Sequence, residues 1–160
     1  MIQSGKFDSS YMNIKKLSNI ALQFLIKRFI EILGICVTLL GILMLIALIS
    51  YSPEDPNFIF PEKTVIKNIL GYQGSVVSDL FLQSIGLISY LVPITFFFSG
   101  INVFKKKEIY LIVENTFFII VYCFFGCLFF SFFYTETFKL HINGNGGFLG
   151  NYLGETFIKN

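Results

Sequence analysis

The sequence predicts an all-α integral membrane protein: a bundle of three transmembrane helices with the start of a fourth, preceded by an amphipathic helix. Three observations carry that prediction. The 160 residues are 54% apolar and only 14% charged, with a mean hydropathy of +0.71; an ordinary soluble domain carries about 25% charged residues. A single domain of this length has too little interior to hide that much apolar side chain. Second, three apolar runs, at residues 29–50, 80–104 and 109–135, are each long enough to cross a hydrocarbon core about 30 Å thick. Third, the basic residues are concentrated on alternate connecting segments. The net charge of +2 is too small to signal nucleic-acid binding.

Residues 1–28 form the N-terminal segment and residues 29–160 the membrane domain. Within the first, Ile14, Leu17, Ile20, Ala21, Phe24 and Leu25 recur at helical spacing, with Lys15, Lys16, Lys27 and Arg28 near the two ends. This pattern suits an interfacial amphipathic helix or, equally, a polar-faced extension of the first span. In both cases the basic residues favour anionic lipid head groups.

The first span, about 29–50, has one charge, Glu31, placed to pair with Lys27 or Arg28 one turn earlier. It is longer than the apolar core of a secretory signal and has no small-residue cleavage site after it. Within lipid every backbone polar group must be paired inside the segment, so each run is expected to be helical. Pro53 and Pro56 end the first span, because they lack N–H groups and push Ser52 and Asp55 out of the α region. Phe58, Phe60 and Pro61 suit an interfacial turn, and helical periodicity resumes near Ser75, after Gly71 and Gly74.

The second span, about 80–104, has no charge. Asp79 stands at its outer end, as a helix-start residue favoured by the dipole. Pro93 lies near its middle and predicts a kink, since its missing N–H frees the carbonyl of Ser89. Gly86, Ser89 and Gly100 are small enough to let helices approach closely. The third span, about 109–135, has Glu114 as its only charge, placed to snorkel toward Lys105, Lys106 and Lys107 or to hydrogen-bond within the bundle.

Eight of the twelve basic residues lie before the first span or between the second and third. The positive-inside rule puts those two segments in the cytoplasm and residues 51–79 outside. Near the end, Gly146, Gly150 and Gly154 recur every fourth residue beside Phe148, Leu149, Tyr152, Leu153 and Phe157, a small-residue seam that opens a fourth helix from about residue 146. The chain stops two to three turns into that helix, as a truncated span would.

Little here points to chemistry. His141 is the single histidine and lies in a predicted outside loop without neighbouring ligands. Cys36, Cys123 and Cys127 lie in apolar runs and read as small hydrophobes rather than as disulfide or metal partners. No phosphate-cradling G-x-x-x-x-G-K-[S/T] loop occurs. The expectation is therefore no catalytic, cofactor or metal site.

A set of motifs in order does carry information. It comprises Ser50-Tyr51-Ser52-Pro53-Glu54-Asp55-Pro56, then Asn68-Ile69-Leu70-Gly71-Tyr72-Gln73-Gly74, then Ser78-Asp79-Leu80-Phe81 running on through Gly86-Leu87-Ile88-Ser89-Tyr90-Leu91-Val92-Pro93, and finally Gly146-Gly147-Phe148-Leu149-Gly150. Over about residues 20–158 this resembles the N-terminal four-span membrane domain of the FtsK/SpoIIIE DNA translocases. The resemblance implies membrane anchoring and assembly of a septal DNA translocase in cell division and chromosome segregation, at the bacterial inner membrane. It implies a hexamer of identical chains, contacts with division-site membrane proteins and with membrane lipids, and no direct nucleic-acid binding by this chain. ATP and Mg are implied only for a downstream cytoplasmic motor. The family-motif residues it marks are Ser50, Tyr51, Pro53, Asp55, Pro56, Gly71, Gly74, Asp79, Gly86, Tyr90, Pro93, Gly146, Gly147, Gly150 and Gly154. The competing reading is a small transporter or channel subunit, motivated by Pro93, Glu114 and Asp79.

Overall fold

The computed structural model describes residues 4–57, 65–134 and 143–158, with side chains from residue 16 to residue 156. The expectations for Phe58, Phe60, Pro61 and His141, for the end of the third span at Thr135, and for the Phe157 side chain fall outside these residues.

The chain is an all-α membrane bundle, and three of its helical stretches are long and apolar enough to cross a bilayer. Helix α1 runs from Ser4 to Ile49 without interruption. The amphipathic stretch and the first span are thus one helix, and no proline falls inside it to separate them. It ends where Ser50 N–H donates to Ile46 and Tyr51 N–H to Leu48, a tightening last turn. The Ser50 hydroxyl also donates to the Ile46 carbonyl at 2.7 Å.

The expected second span is two helices. Helix α2 covers Gly71–Ile85, a short 3-10 turn covers Gly86–Tyr90, and helix α3 covers Leu91–Lys106. The break falls at Gly86, which adopts φ 67°, and not at Pro93. Pro93 is the third residue of α3, so its missing N–H is one of the four that a helix start leaves unpaired anyway. The break expected at Pro93 thus lies seven residues earlier, at a glycine whose lack of a Cβ permits the positive φ.

Helix α3 packs antiparallel to α1 through small residues. A Cβ on Gly34 would lie 2.8 Å from the Gly100 carbonyl and 2.7 Å from Phe104 N; one on Gly41 would lie 2.8 Å from the Pro93 carbonyl. The absence of side chains at these points lets the two backbones touch, the device by which helices associate where water supplies no driving force. Helix α3 closes on Lys107, whose φ of 59° is left-handed and whose N–H returns to Val103 at 2.8 Å.

Helix α4, Tyr110–Phe133, is held to α3 by two polar rungs. Asn115 Nδ2 donates to Ser99 Oγ at 2.8 Å, and Thr95 Oγ1 and Tyr122 OH lie 3.0 Å apart. Only 6% of its most apolar stretch is buried within the chain, against 28% and 33% for the other two spans. Helix α5, Gly147–Ile158, then packs on the C-terminal end of α4. One apolar cluster sits at each end of the bundle: Met44, Leu48, Leu82 and Val92 at one, Ile30, Val103 and Leu111 at the other.

Candidate functional site

The motif residues converge at the end of the bundle where α1 stops. The Ser-Pro-Glu-Asp-Pro turn is closed by Asp55 N–H donating to Ser52 at 3.2 Å. That turn leaves Pro53 exposed and folds Asp55 and Pro56 inward. The buried Asp55 carboxylate accepts the backbone N–H groups of Lys67 and Asn68, each at 2.8 Å. One short acidic side chain thus fixes the residues that lead into α2.

Asn68 is the centre of this arrangement. Its Nδ2 donates to the carbonyls of Ala47 at 2.9 Å and Ser50 at 3.2 Å, capping the end of α1. Its Oδ1 accepts the N–H of Leu70 at 3.1 Å, a local Asx turn. Gly71 follows with φ 66° and starts α2. Gly74 is glycine for a different reason, because a Cβ there would lie 2.1 Å from Asn68 Oδ1. Ser75 Oγ donates to the Pro56 carbonyl at 2.8 Å, and Ser78 Oγ to that of Ser75 at 3.1 Å. Among the described residues, hydrogen bonds from the 67–83 segment to the end of α1 and the two residues after it fall on Ala47, Ser50 and Tyr51, so α2 meets the end of α1.

Asp79 is not a helix-start residue. Helix α2 begins eight residues earlier, because Gly71 and the Asn68 turn supply the start that hydropathy alone places near Leu80. Its carboxylate accepts from Asn57 Nδ2 at 2.9 Å and from Tyr51 OH at 3.4 Å. Burial, and then the adjacent Asp79 charge, raise the Tyr51 phenol above its usual pKa of 10.0. Gln83 donates to the Tyr51 oxygen at 3.4 Å, and Asn143 Nδ2 reaches Gln83, linking this knot to the segment before α5. On the rim, the Lys67–Glu54 ion pair raises the Lys67 pKa, mainly through the hydrogen bond between them.

The glycines close the structure. Gly86 and Gly147 both have left-handed φ and meet backbone to backbone: a Cβ on Gly86 would lie 2.0 Å from the Asn145 carbonyl, and one on Gly147 2.5 Å from Gly86 N. Leu87 N–H donates to that same Asn145 carbonyl at 2.9 Å. Gly146 and Gly150 rest on the Cys127 carbonyl of α4, and Gly154 faces Ser131. Tyr90 OH donates to the Leu48 carbonyl at 3.1 Å and returns the chain to α1. Pro93 packs against Gly41 of α1.

The motif residues thus serve as turns, caps, hydrogen-bond donors and acceptors, or points of close approach. Among the described residues no three of His, Cys, Asp and Glu come together as a metal group would need. At the opposite end, Glu31 pairs with Arg28 as its spacing suggests, and also with Lys107 rather than Lys27, both at 2.6 Å. Glu114 is exposed on α4, one turn beyond Tyr110.

Sequence reasoning missed Asn68 as a hub, the hydroxyls of Ser75 and Ser78, and the Gly34 and Gly41 contacts. The run Gly34, Thr38, Gly41, at spacings of four and three, carried the signal for the last. An Asn three residues before a glycine helix start carried it for the first.

The DNA translocase FtsK of Rickettsia typhi is 30% identical over 69 residues, 43% of this chain and 9% of that protein. That of Rickettsia bellii is 29% identical over 77 residues, 48% of this chain and 10% of that one. That of Azospirillum brasilense is 28% identical over 88 residues, 54% of this chain and 14% of that one. The chain thus corresponds to a small part of the length of these relatives, and no solved structure matches it. Residues 26–159 match a family described as the 4TM region of DNA translocase FtsK/SpoIIIE, and the chain belongs to that family.

Proposed function

We propose that this chain is the membrane-anchoring and assembly domain of a septal DNA translocase, acting in cell division and chromosome segregation. It performs no catalysis itself. ATP and Mg serve a motor that lies elsewhere in the protein, and this domain does not touch DNA. Its work is packing: it holds the motor at the inner membrane, with the N-terminus cytoplasmic, and brings identical chains together, as a hexamer by resemblance, beside division-site membrane proteins.

The observation that carries this reading is the family match over residues 26–159. The interlocked outer knot supports it, since its named groups serve to fix helix ends. The orientation rests on the basic residues Lys105, Lys106 and Lys107 and those before the first span. Two of the three features that suggest a transporter have structural uses here: Asp79 is bound by Asn57 and Tyr51, and Pro93 opens a helix, while Glu114 is exposed on α4.

A fluorescent fusion of the full-length protein tests the proposal. Enrichment at midcell in dividing cells is expected, and uniform membrane fluorescence would overturn it. Thiol labelling of single cysteines in a Cys36→Ala, Cys123→Ala, Cys127→Ala background tests orientation. An impermeant reagent should reach position 54 but not position 106 from outside.

A further inference from the structure

At the end of the bundle where Glu31 meets Lys107, a cleft opens between α1 and the start of α4. Leu25, Ile26, Phe29, Ile30 and Ile109 line it, and all five side chains are hydrocarbon. The cations beside it in the chain are Lys27 and Arg28 on α1 and Lys105, Lys106 and Lys107 at the end of α3; the carboxylates are Glu31 and Glu108. The flanking segments thus carry five positive groups against two negative ones. Glu31 is shared between Arg28 and Lys107, and Glu108 lies two residues before Tyr110. Lys27, Lys105 and Lys106 are exposed. The Arg28 guanidinium is further held 5.0 Å from the centre of the Phe24 ring, which fixes one edge of the basic group.

An apolar cleft beside surplus positive charge calls for one kind of molecule, an amphiphile with an anion at its head. We propose that this cleft binds one anionic phospholipid, its phosphate held by Lys105, Lys106 and Lys27 and the upper part of an acyl chain lying against Phe29, Ile30 and Ile109. A zwitterionic lipid would fill the cleft but leave the surplus charge uncompensated. Free phosphate would meet the charge but has no acyl chain to lie along the apolar lining. The site is distinct from the outer knot, and its readout on the isolated protein is separate from the septal reading above.

Native mass spectrometry of the purified chain in detergent micelles, with added phosphatidylglycerol or phosphatidylcholine, tests this. Phosphatidylglycerol should be retained about tenfold better, and the double variant Lys105→Gln, Lys106→Gln should lose about that factor without change in phosphatidylcholine. Ile26→Trp, which fills the cleft and leaves every charge, should lower retention of both lipids. Ile109→Asn, which makes the lining polar, should do the same and serves if the Trp variant does not melt cooperatively. Equal retention of the two lipids by the native chain would overturn the proposal. So would preferential phosphatidylglycerol retention that survives both cleft variants, because the attraction would then be diffuse. Displacement by inorganic phosphate at micromolar concentration would likewise remove the lipid as the ligand.

Discussion

The two halves of the bundle are held together by different forces. At the end where α1 stops, hydrogen bonds engage Asp55, Asn68, Ser75, Tyr51 and Asp79, and five of these bonds are 2.9 Å or shorter. Along the shared length of α1 and α3 almost nothing polar is exchanged. There the backbones meet at Gly34, Gly41 and Gly100, and α4 adds two polar rungs. The contrast follows from solvent. Near the membrane surface an unmade hydrogen bond can be replaced by water, so only a buried and fully paired network fixes a geometry. Within hydrocarbon, close approach and dispersion do the holding, and apolar side chains gain little from leaving lipid. The same logic explains why α4 can stay largely unburied inside the chain.

The sharpest way to break this contrast is at Gly86. Gly86→Ala places a Cβ in left-handed backbone and 2.0 Å from the Asn145 carbonyl. The strain and the overpacking together should cost about 3 kcal/mol and separate α5 from the 3-10 turn. Thermal unfolding in micelles reads the loss, and a variant as stable as the native chain would show that the two glycine turns do not touch. Asn68→Ala comes next, at about 2 kcal/mol, because it leaves the Ala47 and Ser50 carbonyls without their donor. Denaturation by SDS measures it, and Asn68→Asp should recover little, since a carboxylate cannot donate to those carbonyls. The interior rung should matter less. Asn115→Ala is expected to cost about 0.6 kcal/mol, the average for interhelical hydrogen bonds in lipid. If it cost more than Asn68→Ala, the division between a hydrogen-bonded end and a packed interior would fail.

The smallest effect at neutral pH concerns Tyr51. Its folded pKa is raised above 10.0 by burial and by Asp79. The folded state therefore holds the phenol's proton more tightly than the unfolded state does. The stability this gives is complete below about pH 10 and is lost as pH rises through the folded value. Melting midpoints between pH 8 and pH 11 should fall at the alkaline end, and Tyr51→Phe should flatten part of that fall. Lys67 titrates in the same window with the same sign, but on the exposed rim, where its pairing with Glu54 is worth little.

The three spans were legible because length and apolarity are properties of the chain alone; α4, Tyr110–Phe133, lies inside the expected 109–135 run. The second span was legible as apolar but not as two helices. The polar residues Ser75, Ser78 and Asp79 look like the outside of a membrane helix until Asn68, Pro56 and Asn57 supply their partners. Nor could hydropathy choose between Gly86 and Pro93 as the point of bending; the choice depends on the Asn145 and Gly147 backbone, some sixty residues away in sequence. The motif residues could be singled out as a set, but their roles could not be. Asp55 accepts backbone N–H groups twelve and thirteen residues on, a pairing that exists only once the chain has turned.

The central claim is that anchoring and assembly reside in this domain. The most direct test is the midcell enrichment of residues 1–160 alone, carried by a fluorescent protein on the N-terminus, in dividing cells depleted of the full-length protein. The account predicts a band at the division site that the motor is not needed to produce. Even fluorescence around the whole membrane, with the fusion intact and inserted, would contradict it.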